Sequence, residues 1–402
     1  MKNTSSSFLP LFLVYILFFM WGFIWNMFNV LATFFQESFD LSITMLSLGT
    51  SLSFLAFFMM AYPAKLVIDK FGVQRSIAIG SAITGVGLLI FYPASVFMNY
   101  KIFLAGLFVI FTGVTILQTV CNPYIGILGK PQNRGARINF AQGMGAVGAA
   151  LTAPIAGWFI LNLYGNDVFG GIKMFYLIIA GIFFMLALLV SIANMPPAPS
   201  MEKQENSAIK FRAGGAFKHR HFVVGFIIMF VYMGAEAILY QLMTPYFKEV
   251  GHIGNDEAVR LSSIIFYGLM IGRLSGAWAM TRIDPSKILG TFALIAALLV
   301  ITSMVSDGNV GIYAITAIGF FISIMFASLF ALATRGLGKD TNEASSFIIM
   351  AISGGFFIPL LFGFIADKFS LQTSLLVVVI PLLATSVYGF FFEKIKGKPA
   401  EA

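Results

Sequence analysis

Apolar residues run through this chain in long blocks, and short polar interruptions separate the blocks at nearly regular intervals. A block of about 18 apolar residues or more can cross a hydrocarbon core of about 30 Å as a helix, which satisfies its own backbone polar groups. The blocks predict twelve helices, at about 8–36, 43–64, 76–97, 101–128, 138–163, 172–194, 221–247, 259–281, 287–305, 310–333, 343–366 and 371–392. Short strands of alternating polarity are not seen, so a membrane β-barrel is not expected. One polar stretch stands out, residues 196–220, and it divides the helices six and six. The expected organisation is an N-terminal six-helix bundle over 1–195, a linker over 196–220 and a C-terminal six-helix bundle over 221–402. The fold class is an all-α membrane protein of twelve transmembrane helices.

Composition agrees: 59% of the residues are hydrophobic and only 10% charged, against roughly 25% in a soluble domain. The net charge of +8 is spread over short loops rather than gathered in a basic domain, so a nucleic-acid partner is not expected. It works instead as an orientation signal. If the N-terminus lies inside, 19 Lys and Arg fall on the inner loops and tails, 5 on the outer loops, and Arg273 inside a helix. That asymmetry predicts a cell inner membrane protein with both termini and the linker in the cytoplasm. The leading MKNTSSS runs into the first apolar block without a small-residue cleavage site, which predicts a retained first helix. The single cysteine, Cys121, lies within an apolar block, so no intramolecular disulfide is expected.

Polar side chains inside the blocks are the candidates for chemistry, since each needs a partner or water in the membrane. Glu236, in Tyr232-Met-Gly-Ala-Glu236, is the only acid deep within an apolar block, and an ionisable group at that depth marks function by default. Tyr232, Glu236 and Tyr240 recur every four residues and share one helix face. The first helix aligns Trp21, Trp25 and Asn29, with Asn26 nearby; the fourth aligns Gln118 and Asn122 ahead of Pro123; the fifth offers Asn139 and Gln142. Amides that both donate and accept, set beside aromatic rings, suit a neutral polyhydroxylated ligand. Counted along the helices, Glu236 lies roughly 22 Å from its cytoplasmic end and Arg273 roughly 12 Å from its own. A direct ion pair between them is therefore not the expectation, and Arg273 is expected to anchor its helix to neighbouring backbone. Gly268, Gly272 and Gly276, and Gly143, Gly145, Gly148 and Gly157, are read as close-packing stripes. The three histidines sit at helix edges and no nucleophile–base or metal-ligand cluster is apparent, so an enzyme, a cofactor or a metal is not expected.

Two halves of six helices joined by a linker resemble the major facilitator fold, with its pseudo-symmetric bundles. The loop PAKLVIDKFGVQR, Pro63 to Arg75, is similar to that superfamily's signature G-x-x-x-D-R-x-G-[RK], with Asp69, Lys70 and Gly72 matching and Lys65 in place of the first glycine. Several strings resemble one branch, the sugar symporters that include fucose permease and the glucose/galactose transporters. QTVCNPY (118–124) is similar to E-T-A-A-N-P-[YF], RINFAQGMGAVG (137–148) to R-L-N-L-A-Q-x-x-N-x-L-G, YMGAE (232–236) to Y-V-G-A-E and MIGRLSG (270–276) to M-I-G-R-x-x-G. The run from Ser323 to Asp367 follows the branch almost continuously.

The resemblance implies alternating-access transport of a monosaccharide or sugar-like solute. Under it, Trp25, Asn29, Gln118, Asn122, Asn139, Gln142 and Tyr240 are candidate substrate contacts, and Asp69, Lys70, Gly72, Arg75 and Arg273 serve the conformational cycle. The departures are specific: Asn29 and Gln118 stand where the branch has acids, and Ala327 replaces a proline. Neutral amides cannot exchange protons, which leaves Glu236 as the candidate coupling group, with a proton as first choice of ion and sodium as second. A monomer in the lipid bilayer is expected. Three other readings are an uncoupled facilitator, an efflux transporter, to whose signature Gly148 to Gly157 bears a partial likeness, and a non-transporting membrane sensor.

Overall fold

A computed structural model describes residues 8–38, 43–97, 99–128, 131–164, 167–196, 214–241, 243–306 and 308–396. Among them the elements are helical: α1 (Phe8–Ser38), α2 (Ile43–Val96), α3 (Tyr100–Ile127), α4 (Arg134–Trp158), α5 (Val168–Ile192), α6 (Arg220–Gln241), α7 (Met243–Gly251), α8 (Asn255–Ala279), α9 (Pro285–Val305), α10 (Asn309–Ile322), α11 (Met325–Ala333), α12 (Thr341–Met350), α13 (Gly354–Lys368), α14 (Leu371–Ser374), α15 (Leu376–Phe390) and α16 (Phe392–Lys396). Nine segments of the described chain are long and apolar enough to cross a membrane. One of them, Leu52–Val96 in α2, has 45 residues and is long enough to cross twice. Two long helices outside this set, α4 and α8, are less apolar than the helices within it, and both contribute to the site described below.

The predicted pair at 43–64 and 76–97 is thus one continuous helical path interrupted at Gly72, where φ is 76° and ψ is 177°. Only glycine occupies that region without strain, which for another residue amounts to about 1–3 kcal/mol. An added Cβ would meet nothing within 4 Å, so the requirement is conformational and not spatial. Gly72→Ala is expected to lower thermal stability by about that amount, read as a reduced midpoint in unfolding of the detergent-purified protein. An unchanged midpoint would show that the turn relaxes freely.

The chain divides into two compact units, Met1–Leu128 with Met144–Phe211, and Gly129–Gly143 with Arg212–Ala402. In the first, α2 lies along α3 and α5. Helix α1 meets the later part of α4 backbone to backbone: a Cβ on Gly22 would collide with the Gly145 carbonyl, and one on Gly148 with the Phe19 carbonyl. The Asn26 amide donates to the Ala149 carbonyl at 2.9 Å and the Thr152 hydroxyl to Phe23 O at 3.1 Å, so the approach is also hydrogen-bonded. Close approach of small residues is how helices associate where lipid supplies no hydrophobic drive.

In the second unit, α6 packs on α11, α13 and α15, while α8 and α9 both pack on α10. The stripe Gly268, Gly272 and Gly276 faces Phe320, Ser323 and Ile324, as a packing stripe should. Gly157 differs from its expected role, since nothing lies within 4 Å of its missing Cβ. Several predicted helices are interrupted among the described residues. The predicted seventh helix is described as Arg220–Gln241 and Met243–Gly251, on either side of residue 242, which lies outside the described residues. The tenth breaks between Ile322 and Met325, and the eleventh passes through a 3₁₀ turn at Ala351–Ser353. No proline lies at the tenth helix's break, so its cause must be sought in its neighbours.

Candidate functional site

One buried polar cluster of the second unit lies around Glu236. The α6 face carrying Tyr232, Glu236 and Tyr240 turns inward, and Glu236 is 4% exposed. The Tyr240 hydroxyl donates to Glu236 Oε1 at 2.5 Å, and the Tyr240 ring packs on Phe266 of α8. Arg273 of α8 places Nη2 3.9 Å from the same oxygen. This corrects the expectation of two separated charges. Residue counting assumes upright helices and short side chains, whereas helices tilt and an arginine carries its charge on a long stem. The expected anchoring is present as well: Arg273 Nε donates to Ser323 O at 3.1 Å and Nη1 to Gln142 O at 3.4 Å.

These contacts account for the break in the tenth helix. A helix that stops inside a membrane leaves carbonyls unpaired, at a cost of several kcal/mol each unless something donates to them. Ile322 O accepts from the Tyr232 hydroxyl at 3.1 Å, and Ser323 O accepts from Arg273. The two donors that hold the break flank the buried carboxylate.

The other predicted residues fall in several places. Trp25 is half-buried in the first unit, its ring 5.4 Å from Phe111, 5.8 Å from Phe57 and 6.0 Å from Phe54. Gln118 and Asn122 are buried on α3, where the Asn122 amide donates to Gln118 O at 2.9 Å. Asn29 is helical, and its side chain lies outside the described residues. Gln142 is buried and offers its carbonyl to Arg273. Asn139 is fully buried, with its amide nitrogen 3.1 Å from Met280 Sδ and 3.4 Å from Ser328 Oγ, an arrangement that ties α4 to α11 and the end of α8. Asp69 pairs with Lys65 one turn earlier, Lys70 lies over the Phe71 ring at 5.2 Å, and Arg75 is exposed.

Sequence reasoning passed over two polar side chains. Gln74, inside the loop string, donates to the carbonyls of Val190, Ser191 and Ala193 at 2.9, 3.0 and 2.7 Å, and so closes the end of α5, where helix carbonyls lack partners. Glu343 is 5% exposed, so Glu236 is not the only buried acid. Its two oxygens accept from the backbone amides of Gly214 and Ala216 at 2.6 and 3.2 Å, next to an Asp340–His219 pair at 3.5 Å. Removing that fork leaves two amides short of a partner, so Glu343→Ala is expected to lower stability by about 1–3 kcal/mol. Hydrogen exchange at Gly214–Lys218 checks it, with faster exchange expected in the variant. The one sequence signal available was an acid in the first turn of a helix.

A helical membrane protein with two compact units, interrupted helices and buried polar clusters has the architecture of a secondary transporter. The chain belongs to the Major Facilitator Superfamily, which it matches over residues 14–358. It is 31% identical over 386 residues to the glucose/galactose transporter of Brucella abortus biovar 1 (strain 9-941), covering 94% of this chain and 93% of that one. It is 28% identical over 387 residues to the L-fucose-proton symporter of Escherichia coli (strain K12), covering 91% and 88%. The crystal structure of the E. coli fucose:proton symporter FucP superposes with a TM-score of 0.88 at 27% identity, covering 96% of this chain and 99% of that one. These relatives are transporters and not enzymes, and the chain is a multi-pass membrane protein.

Proposed function

We propose that the protein is a sugar transporter that works by alternating access and couples uptake of a monosaccharide or a similar solute to a proton. Membership of the superfamily and the sugar-transporting relatives across nearly the whole chain support the class. The observation that carries the coupling is Glu236, a carboxylate in the membrane interior held by Tyr240 and Arg273. The assigned sugar contacts are Trp25, Gln118, Asn122, Gln142 and Tyr240, with Asn29 on the face it shares with Trp25. Asn139 serves by placing α4. Asp69, Lys70, Gly72 and Arg75 support the conformational cycle together with Gln74. The charge asymmetry supports an inner-membrane placement with both termini cytoplasmic, and a monomer in the bilayer satisfies the reading.

The test has two stages. A thermal-shift screen of monosaccharides on purified protein should find a sugar that raises the midpoint, because a ligand of the native state stabilises it by mass action. Liposomes should then accumulate that sugar under an imposed proton gradient and not under a sodium gradient alone. Counterflow without accumulation under either gradient would select the uncoupled facilitator instead. That second reading is favoured by one observation, the neutral amides Gln118 and Asn29, which cannot exchange a proton.

A further inference from the structure

The Glu236 cluster contains more than a coupling carboxylate. Arg273 reaches three acceptors on three helices: the α6 carboxylate, the Ser323 carbonyl at the α10–α11 break and the Gln142 carbonyl of α4. The ion pair is almost enclosed, with side-chain exposures of 17% for Arg273 and 4% for Glu236. An arginine so placed has two separable roles. It can serve as a donor to backbone, which needs its N–H groups, or as the counter-charge of the carboxylate, which needs its charge. Gly272, the residue before it, lies against the Ser323 side chain, so α8 and the break are in direct contact and a shift of one is felt by the other.

We propose that Arg273 is the positioning residue that transmits the charge state of Glu236 to the α10–α11 break. While Glu236 is ionised, the guanidinium is divided between the carboxylate and the two carbonyls. When Glu236 takes up a proton, the carboxylate gives up its share and the guanidinium turns to Ser323 O and Gln142 O. The hold on the break and on α4 therefore changes with the proton. Tyr232, one helical turn before Glu236, donates to Ile322 O and keeps the break open in both states. This assignment rests on Glu236 being the coupling group and adds the path by which its charge acts on the helices.

A double-substitution cycle separates the two roles. Arg273→Gln removes the charge and leaves a buried carboxylate with its Tyr240 hydrogen bond but no counter-charge, an arrangement that is more damaging than losing the whole pair. We expect Arg273→Gln to lower sugar counterflow in liposomes at least tenfold, Arg273→Lys to keep more of it, and Glu236→Gln combined with Arg273→Gln to recover at least fivefold over Arg273→Gln alone. Recovery is the diagnostic result, because a purely structural arginine that only served carbonyls would not be rescued by neutralising Glu236. If the double variant is no better than Arg273→Gln, the proposal is overturned. Should Arg273→Gln not yield folded protein, the yield of monodisperse double variant decides in the same way: recovery supports the proposal and equal loss refutes it. The coupling reading fails separately, by proton-driven accumulation that survives Glu236→Gln in otherwise native protein.

Discussion

Glu236→Gln abolishes proton-driven sugar accumulation while counterflow continues at a reduced rate. Glutamine has nearly the same shape, and its carbonyl oxygen still accepts from the Tyr240 hydroxyl now bonded to Oε1. What it cannot do is release or take up a proton during the cycle. A gradient of one pH unit is worth about 1.4 kcal/mol per proton, enough for about tenfold accumulation at one proton per sugar. The variant should bring that ratio to unity. Its counterflow should fall because Arg273, 3.9 Å away, loses its charge partner in a largely buried site. Liposomes loaded with labelled sugar measure both quantities in one preparation. A variant that still accumulates the sugar tenfold would remove Glu236 from the coupling step and move attention to groups of the first unit.

Gly22→Leu should eliminate folded protein altogether. At this crossing even a single Cβ would run into the Gly145 carbonyl, with the carbonyl carbon 2.5 Å and Cα 2.7 Å away. The obstacle is backbone, which cannot swing aside as a side chain can. The two helices would have to separate, breaking the Asn26–Ala149 and Thr152–Phe23 hydrogen bonds. Overpacking alone costs about 1–3 kcal/mol, and the lost contacts of α1 and α4 add to it. Size-exclusion chromatography in detergent should show no monodisperse peak. Gly157→Ala is the control, since its Cβ would point into open space and its elution and thermal midpoint should match wild type.

Apolar block length alone located nearly every helix, because a bilayer requires long helices and the chain offers little else. The interruptions were harder. The break after Ile322 has no cause in its own sequence, since no proline lies there. It depends on Tyr232 and Arg273, about 90 and 50 residues earlier, whose hydrogen bonds to Ile322 O and Ser323 O replace those of the helix. The same limit explains the site. The four-residue spacing of Tyr232, Glu236 and Tyr240 revealed a polar face, while the partnership with Arg273 was hidden because depth counted along two helices ignores tilt and side-chain reach. Glu343 and Gln74 were overlooked for a related reason. Each sits near a helix end, where a polar residue looks ordinary until the backbone it caps is known.

The closure of α5 by Gln74 carries a consequence for how the protein behaves in different surroundings. An arginine or lysine in that place would make the closure depend on salt, since mobile ions screen charges over about 8–10 Å at cellular ionic strength. It would also add a charge on which the transmembrane voltage could act, at about 2.3 kcal/mol per charge per 100 mV for a full crossing. The amide of Gln74 carries no net charge, yet it reaches three carbonyls at 2.7–3.0 Å. The fastening of this loop to α5 should therefore be the same in dilute and concentrated media and in energised and de-energised cells.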